Sequence, residues 1–262
     1  MNEAPNPNPS SREPEPMALA TGVDSTTIGP IAPEASTYGS GKITSPSGQP
    51  TSTKPYLILI RHGEVEIEWK KICYGLMDVP LSETGIENSI RLAEQLCREF
   101  QPRYIFHSGL QRTKFLASQI ARCSLGNPEP IEDTRLQERD YGDWQGKSWD
   151  EVFTSDPDHF HDLIEKPETY RPPQGETTSE MQARIVTWLH QIASHANDPQ
   201  SPPIIAVTHS GPIAAACGHL LNLHARDWGP WTIRNLHYVA IDKMNCNALI
   251  SVQVCSLQKD VL

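Results

Sequence analysis

The 262-residue chain contains no apolar run near the roughly 20 residues that a membrane-crossing helix needs. Its first residues, Met1-Asn2-Glu3-Ala4-Pro5, have neither a basic stretch nor an apolar one, so no secretory signal is expected. An excess of basic residues is also missing. Lys and Arg number 22 against 32 Asp and Glu, for a formal net charge of −10 and a pI near 5.4. General nucleic-acid and anionic-membrane binders work through basic fields, so neither partner is expected. The six cysteines (Cys73, Cys97, Cys123, Cys217, Cys246 and Cys255) include no C-x-x-C pair and mostly lie in apolar runs. That pattern predicts buried, reduced thiols in a cytoplasmic protein, with no zinc site and no disulfide framework. No internal repeat is present.

What is present divides in two. Residues 1–53 hold nine of the 23 prolines, one aromatic (Tyr38) and no periodic apolar pattern. Such a segment cannot bury enough apolar surface to offset its ordering entropy, and a disordered extension is expected. Met17 is an alternative initiator within it. Residues 54–262 alternate strand and helix signals, which predicts one domain of the α/β class, a mostly parallel central sheet with helices on both faces.

Tyr56–Ile60 is read as the first strand. Ser82 is the N-cap of a helix that buries Ile86, Ile90, Ala93, Leu96, Cys97 and Phe100. A short strand, Tyr104–Phe106, precedes a second helix carrying Phe115, Leu116, Ile120 and Ala121. Residues 131–136 are read as strand, and 147–175, acidic and weakly periodic, as a lid or insertion. A helix from Thr178 buries Met181, Ile185, Trp188, Leu189 and Ile192. Ile204–Val207 is a second fully apolar strand, followed by a helix over 213–223 and by strands at about 237–242 and 248–255.

Three strand ends deliver groups suited to an anion: Arg61 with His62, Arg112 at a helix start, and His209 with Ser210 and Gly211 just before a helix. The carboxyl ends of strands in open α/β sheets are where ligands bind. Arg forks match phosphate oxygens, and a helix N-terminus favours negative charge, so a phosphoryl group fits better than a carboxylate. The alternative for each is bland. Arg61-His62 can be a loop pair, Arg112 a surface residue and His209 a satisfied core histidine. Glu64 is read as supporting the site indirectly, with an exposed loop carboxylate as the alternative. His159 and His161, set among acids, can be a metal pair or simply a solvated face, and the latter is preferred. Trp144, Trp149, Trp228 and Trp231 are read as core or pocket wall.

Leu59 to Glu64 (L-I-R-H-G-E) resembles the signature of the histidine phosphatase superfamily, the phosphoglycerate mutase-like group that includes α-ribazole phosphatase. The resemblance spans about 56–255 and includes further motifs in the family's order: Gly75 to Gly85, Ser108 to Arg112, Leu136 to Gly146, Gly175-Glu176-Thr177 and Val207 to Gly211. It implies a three-layer α/β/α fold and a two-step phosphoryl transfer on a small phosphorylated metabolite. His62 would be the nucleophile, Glu138 the acid and base, with Glu132, Asp133, Asp140 and Asp143 as the nearby acids that could face the site in its place, and Arg61, Arg112 and His209 would hold the phosphoryl oxygens. Tyr74, Gly75 and Ser210 would complete the substrate-binding set. No metal or other cofactor is implied. Mutase-type members carry an Asn soon after R-H-G-E, whereas Val65 to Lys70 has none, and Cys73-Tyr74-Gly75 is closer to the α-ribazole phosphatase type. Glu138-Arg139 with Tyr141-Gly142 is similar to the mutase pattern. A phosphatase is therefore expected, with α-ribazole phosphate as one candidate substrate. A phosphoglycerate mutase-type enzyme and a non-catalytic phospholigand-binding relative are the alternatives.

Overall fold

Strand β1 (Leu57–Arg61) is buried on both faces in the interior of a six-stranded sheet, as its unbroken branched-apolar run demands. The computed structural model describes residues 55–193, 201–241, 244–245, 248–249 and 252–255. After β1 come α1 (Glu83–Glu99), β2 (Tyr104–His107), α2 (Gln111–Cys123), β3 (Ile131–Glu132), α3 (Trp149–Ser155) and α4 (Pro157–Glu165). They are followed by α5 (Thr178–Ala193), β4 (Ile204–Thr208), α6 (Ser210–Leu220), β5 (Tyr238–Ile241), β6 (Met244–Asn245), β7 (Ala248–Leu249) and β8 (Val252–Cys255). The extension over 1–53 lies outside the described residues. Among the described residues no helix is long and apolar enough to cross a membrane.

The sheet order is β3-β2-β4-β1-β5-β8, parallel from β3 through β1 and antiparallel at β5 and β8, with β6 and β7 paired separately. It is the mostly parallel sheet expected from the apolar strands. Alternation along β1 divides the core. Ile58 and Ile60 pack with Leu92, Leu96, Leu116 and Ile120 of α1 and α2. Leu57 and Leu59 pack with Ile185, Trp188, Ile213 and Cys217 of α5 and α6 on the other face. Three layers result.

Register matters most for function. Arg61 pairs with Thr208 and His107 with Val207, so β1, β4 and β2 end nearly level. The residues that follow, His62, His209 and Ser108, leave the same sheet edge side by side.

Several expectations need correction. Ile86 and Ile90 are 37% and 38% exposed. The buried stripe of α1 is instead Gly85, Ser89, Leu92, Ala93, Leu96 and Cys97. The helix is rotated because Gly85 presses on the chain after β1: a Cβ there would stand 2.1 Å from Glu64 O. The stretch 131–136 is strand only at Ile131–Glu132, then a 3-10 turn over Thr134–Leu136 begun by Asp133, whose side chain accepts from Arg135 N. Helix α6 starts at Ser210 and ends at Leu220, three residues earlier at each end than the reading of 213–223. Of the strand read at 248–255, Ala248–Leu249 (β7) and Val252–Cys255 (β8) are strand, and 250–251 lie outside the described residues. Within 147–175 two helices form, α3 with a Ser148–Glu151 capping box and α4 with Pro157 at its start. They pack on Cys73, Trp144 and Tyr170. Trp144 and Trp228 are buried, and Trp149 and Trp231 pack against clusters, so all four take the core reading.

Candidate active site

His62 is 1% exposed, and its Nδ1 lies 2.7 Å from Gly63 O. A carbonyl can only accept, so Nδ1 carries the hydrogen and the neutral ring presents a bare Nε2 lone pair. The backbone of this turn is held from two sides. His62 N donates to Thr208 O at 3.1 Å, and Asn235 Nδ2 donates to His62 O at 3.0 Å and to Gly63 O at 3.1 Å. Asn235 thus secures the same carbonyl that sets the His62 tautomer. It lies outside the recognised motifs, and a lone Asn before an apolar strand offers no sequence signal.

His209 meets His62 edge to face, with ring centroids 5.0 Å apart. Its Nε2 lies 2.9 Å from Ser108 Oγ, which is itself 2.9 Å from Thr113 Oγ1. Its Nδ1 is buried with no protein partner. Burial, then Arg112, push both imidazoles well below the ordinary histidine value; Arg61 lowers both further, and His62 also lowers His209. Both rings are therefore neutral at neutral pH, inside a positively charged surround.

Arg112 is fully buried near the start of α2. Its Nη1 donates to Met77 O at 2.6 Å and Nη2 to Gly75 O at 2.7 Å, while its guanidinium carbon lies 5.1 Å from the Tyr74 ring centroid. Tyr74 and Gly75, expected in the substrate-binding set, both stand against Arg112. The same loop also caps α2, because Asp78 Oδ1 accepts from Gln111 N at 2.7 Å. Arg61 Nη1 donates to Ile233 O at 2.8 Å. After these bonds, Arg61 Nε and Arg112 Nε remain buried without a protein partner.

Glu138 lies at the start of α6. Its Oε1 accepts from Arg139 N at 3.0 Å and its Oε2 faces Gly211 N at 3.5 Å, at the N-terminus of α6. A Cβ on Gly211 would come within 2.3 Å of Glu138 Oε1, so only glycine admits the carboxylate there. The supporting loop is pinned by Arg184 of α5, which donates to Arg135 O at 2.6 Å, Gln137 O at 2.7 Å and Glu138 O at 3.0 Å and pairs with Glu176 at 2.6 Å. Thr208 Oγ1 adds a bond to Leu136 O at 2.6 Å. Arg184 carries no signal of this role in the sequence, where it is one polar residue on an amphipathic helix.

The remaining candidates are placed as follows. Ser210 is the first residue of α6, half-buried beside His209. Glu64 pairs with Lys70 through its side chain, and its carbonyl accepts from Ser82 N at 2.9 Å. Asp133 pairs with Arg135, and Asp140 accepts from Gly142 N, which leaves Glu138 as the acid at α6. His159 pairs with Asp156 on an exposed face. Arg139 is buried and donates to Glu176 O at 3.1 Å and Tyr170 O at 2.9 Å.

Comparison with known proteins agrees with this geometry. Residues 57–251 match the family model of the histidine phosphatase superfamily, branch 1. Phosphoserine phosphatase 1 of Hydrogenobacter thermophilus is 31% identical over 188 residues, covering 71% of this chain and 85% of that protein. A glucosyl-3-phosphoglycerate phosphatase of Mycolicibacterium vanbaalenii is 32% identical over 177 residues, covering 66% and 76%. Among solved structures, mycobacterial glucosyl-3-phosphoglycerate phosphatase superposes with a TM-score of 0.65 at 25% identity, covering 77% of this chain and 96% of that one. An α-ribazole phosphatase from Shigella flexneri, 19% identical with a TM-score of 0.64 over 78% and 96% of the two chains, shares the fold. With the signature histidine at the end of β1 and the later motifs gathered at the same sheet edge, the chain belongs to the histidine phosphatase superfamily.

Proposed function

We propose that the protein is a phosphatase that hydrolyses a small organic phosphate monoester through a phosphohistidine on His62. One observation carries the reading. Around a nucleophile whose Nδ1 is already engaged, Arg61 Nε, Arg112 Nε and His209 Nδ1 are buried polar atoms without protein partners. Unsatisfied buried donors are costly, and a phosphoryl group offers the oxygens they need.

The chemistry follows from the positions. His62 Nε2 attacks phosphorus, and the ester oxygen leaves with a proton from Glu138. Arg61, Arg112 and His209 hold the equatorial oxygens as charge spreads over them. Water then attacks the phosphohistidine, Glu138 takes its proton, and inorganic phosphate departs with His62 restored. The guanidiniums and the α6 terminus supply the positive charge, and no metal enters the scheme. Ser210 is assigned to the substrate-binding set from its place on that terminus, and Tyr74 and Gly75 are assigned an indirect role through Arg112.

Phosphate monoesters that also bear a carboxylate head the list of candidate substrates, since the relatives above at 31% and 32% identity are named for phosphoserine and glucosyl-3-phosphoglycerate. α-Ribazole phosphate stays on the list through motif resemblance. Segment 147–175, with α3 and α4, is assigned as the lid that selects among them. The mutase alternative is disfavoured, because Nε and Nη2 of the Arg139 guanidinium of its motif are committed to two main-chain carbonyls.

The test is a panel of these esters plus 3-phosphoglycerate, assayed for phosphate release and for 2-phosphoglycerate. Phosphate release with an acid-labile phosphoenzyme, both lost in His62→Ala, is the expected result. Isomerisation without phosphate release, or full activity in His62→Ala, would overturn the reading.

A further inference from the structure

At the far end of α2 from Arg112, two thiols from different helices meet. Cys97 Sγ, in the last turn of α1, lies 3.0 Å from Cys123 Sγ, the last residue of α2. That is about 1 Å longer than a disulfide bond. Cys97 is 3% exposed and Cys123 is exposed, so the pair has one buried member and one that a small oxidant can reach. The remaining described cysteines lie elsewhere: Cys73 and Cys217 are in other clusters, and Cys255 packs at the edge of the cluster that holds Cys97.

We propose that Cys97 and Cys123 form a dithiol site at which a peroxide makes an intrachain disulfide tying α1 to α2. The Cys123 sulfur attacks one peroxide oxygen, the O–O bond breaks, and the departing hydroxide takes the thiol proton as water. Cys97 Sγ then attacks the resulting sulfenic sulfur, and the expelled hydroxide takes the Cys97 proton as a second water. Two thiols lose two electrons in total and the peroxide gains them.

The surroundings accept the product without leaving a carbonyl unpaired. The thiols currently donate to Ile120 O and Gln119 O at 3.2 and 2.9 Å. Ile120 O keeps two donors, Ser124 N at 3.1 Å and Ser124 Oγ at 2.7 Å. Gln119 O keeps its helical donor four residues on. Partial burial and the Cys97 partner push the Cys123 thiol up to about 12, so the thiolate is scarce at neutral pH. The bond forms slowly and serves as a cross-link, distinct from a fast peroxide sensor.

The link closes a loop with a sequence separation of 26 residues that includes β2 and all of α2. Restricting the unfolded chain in this way raises the melting temperature, by roughly 5–10 °C for a domain of this size. The experiment treats the reduced full-length protein with hydrogen peroxide, digests it without reductant and identifies linked peptides by mass spectrometry. A Cys97–Cys123 pair lighter by two hydrogens, with the higher melting temperature, is expected. Cys123→Ser, at an exposed position that leaves the packing intact, should lose both the link and the temperature rise. Linkage of Cys97 to Cys255, conversion of Cys123 to a sulfinic acid without linkage, or a linked pair with no rise in melting temperature would overturn the proposal.

Discussion

Glu138 sits where helix α6 begins, held by Arg139 N and facing Gly211 N, and its neighbours explain why this acid is the one proposed for proton transfer. Glu132 and Asp143 are exposed, Asp133 is paired, and Asp140 is used within its own turn. A proton donor matters most when the departing oxygen is a poor leaving group. For Glu138→Gln, kcat should fall on the order of 100- to 10,000-fold with alkyl phosphates and much less with p-nitrophenyl phosphate. Equal losses for the two classes, measured by steady-state kinetics, would move the role to another group. The Leu136 to Gly146 motif made Glu138 legible in the sequence, but four other acids within a dozen residues left the choice open. The contact with Gly211, from 73 positions later, is what favours Glu138 among them.

At the scale of elements, the site is a set of helix beginnings supported by glycines and long-range bonds. Helix α1 starts under the turn that follows β1, with Ser82 Oγ accepting from Gly85 N at 3.0 Å. Gly85 stands so close to Glu64 that a methyl group would meet a main-chain carbonyl. Gly85→Ala should therefore cost about 1–3 kcal/mol in urea unfolding, and kcat should fall with it because the displaced turn carries His62. Loss of stability with unchanged turnover would separate the helix from His62. Arg184 of α5 acts in the same way on the Glu138 loop. Arg184→Met removes donors to three carbonyls and the partner of Glu176. A displacement near 1 Å can cost about 100-fold, so a fall in kcat of roughly that size is expected, larger for poor leaving groups than for good ones. Helix existence was legible here because apolar spacing is a local property. The rotation that exposes Ile86 and Ile90 was not, since it is set by the contact of Gly85 with another segment.

For the molecule as a whole, the site makes stability depend on pH. His62, His107, His209 and His219 are all lowered, chiefly by burial. Above the ordinary histidine value near 6.5 both folded and unfolded chains hold these rings neutral. As pH falls below it, the unfolded chain binds protons that the folded chain refuses, so this stability is lost until the lower folded values are reached. A bound anion beside His62 and His209 offsets that loss. Melting temperature should thus decline from pH 7 to pH 5, and decline less in phosphate than in chloride at equal ionic strength. An identical slope in both salts would mean that phosphate does not bind beside the two imidazoles.

Much of this protein follows from the sequence by itself: the α/β class, the two apolar strands, most helices, and the motif residues His62, Arg61, Arg112, Glu138 and His209. These depend on short-range periodicity and on residues that stand together in the chain. The tertiary structure decided the level strand ends that set His62 beside His209, and the carbonyls of Gly75 and Met77 that orient Arg112. It also decided the supporting roles of Asn235 and Arg184 and the meeting of Cys97 with Cys123. Each of these joins atoms far apart in sequence, and such contacts exist only once the sheet register and the helix rotations have brought the segments together.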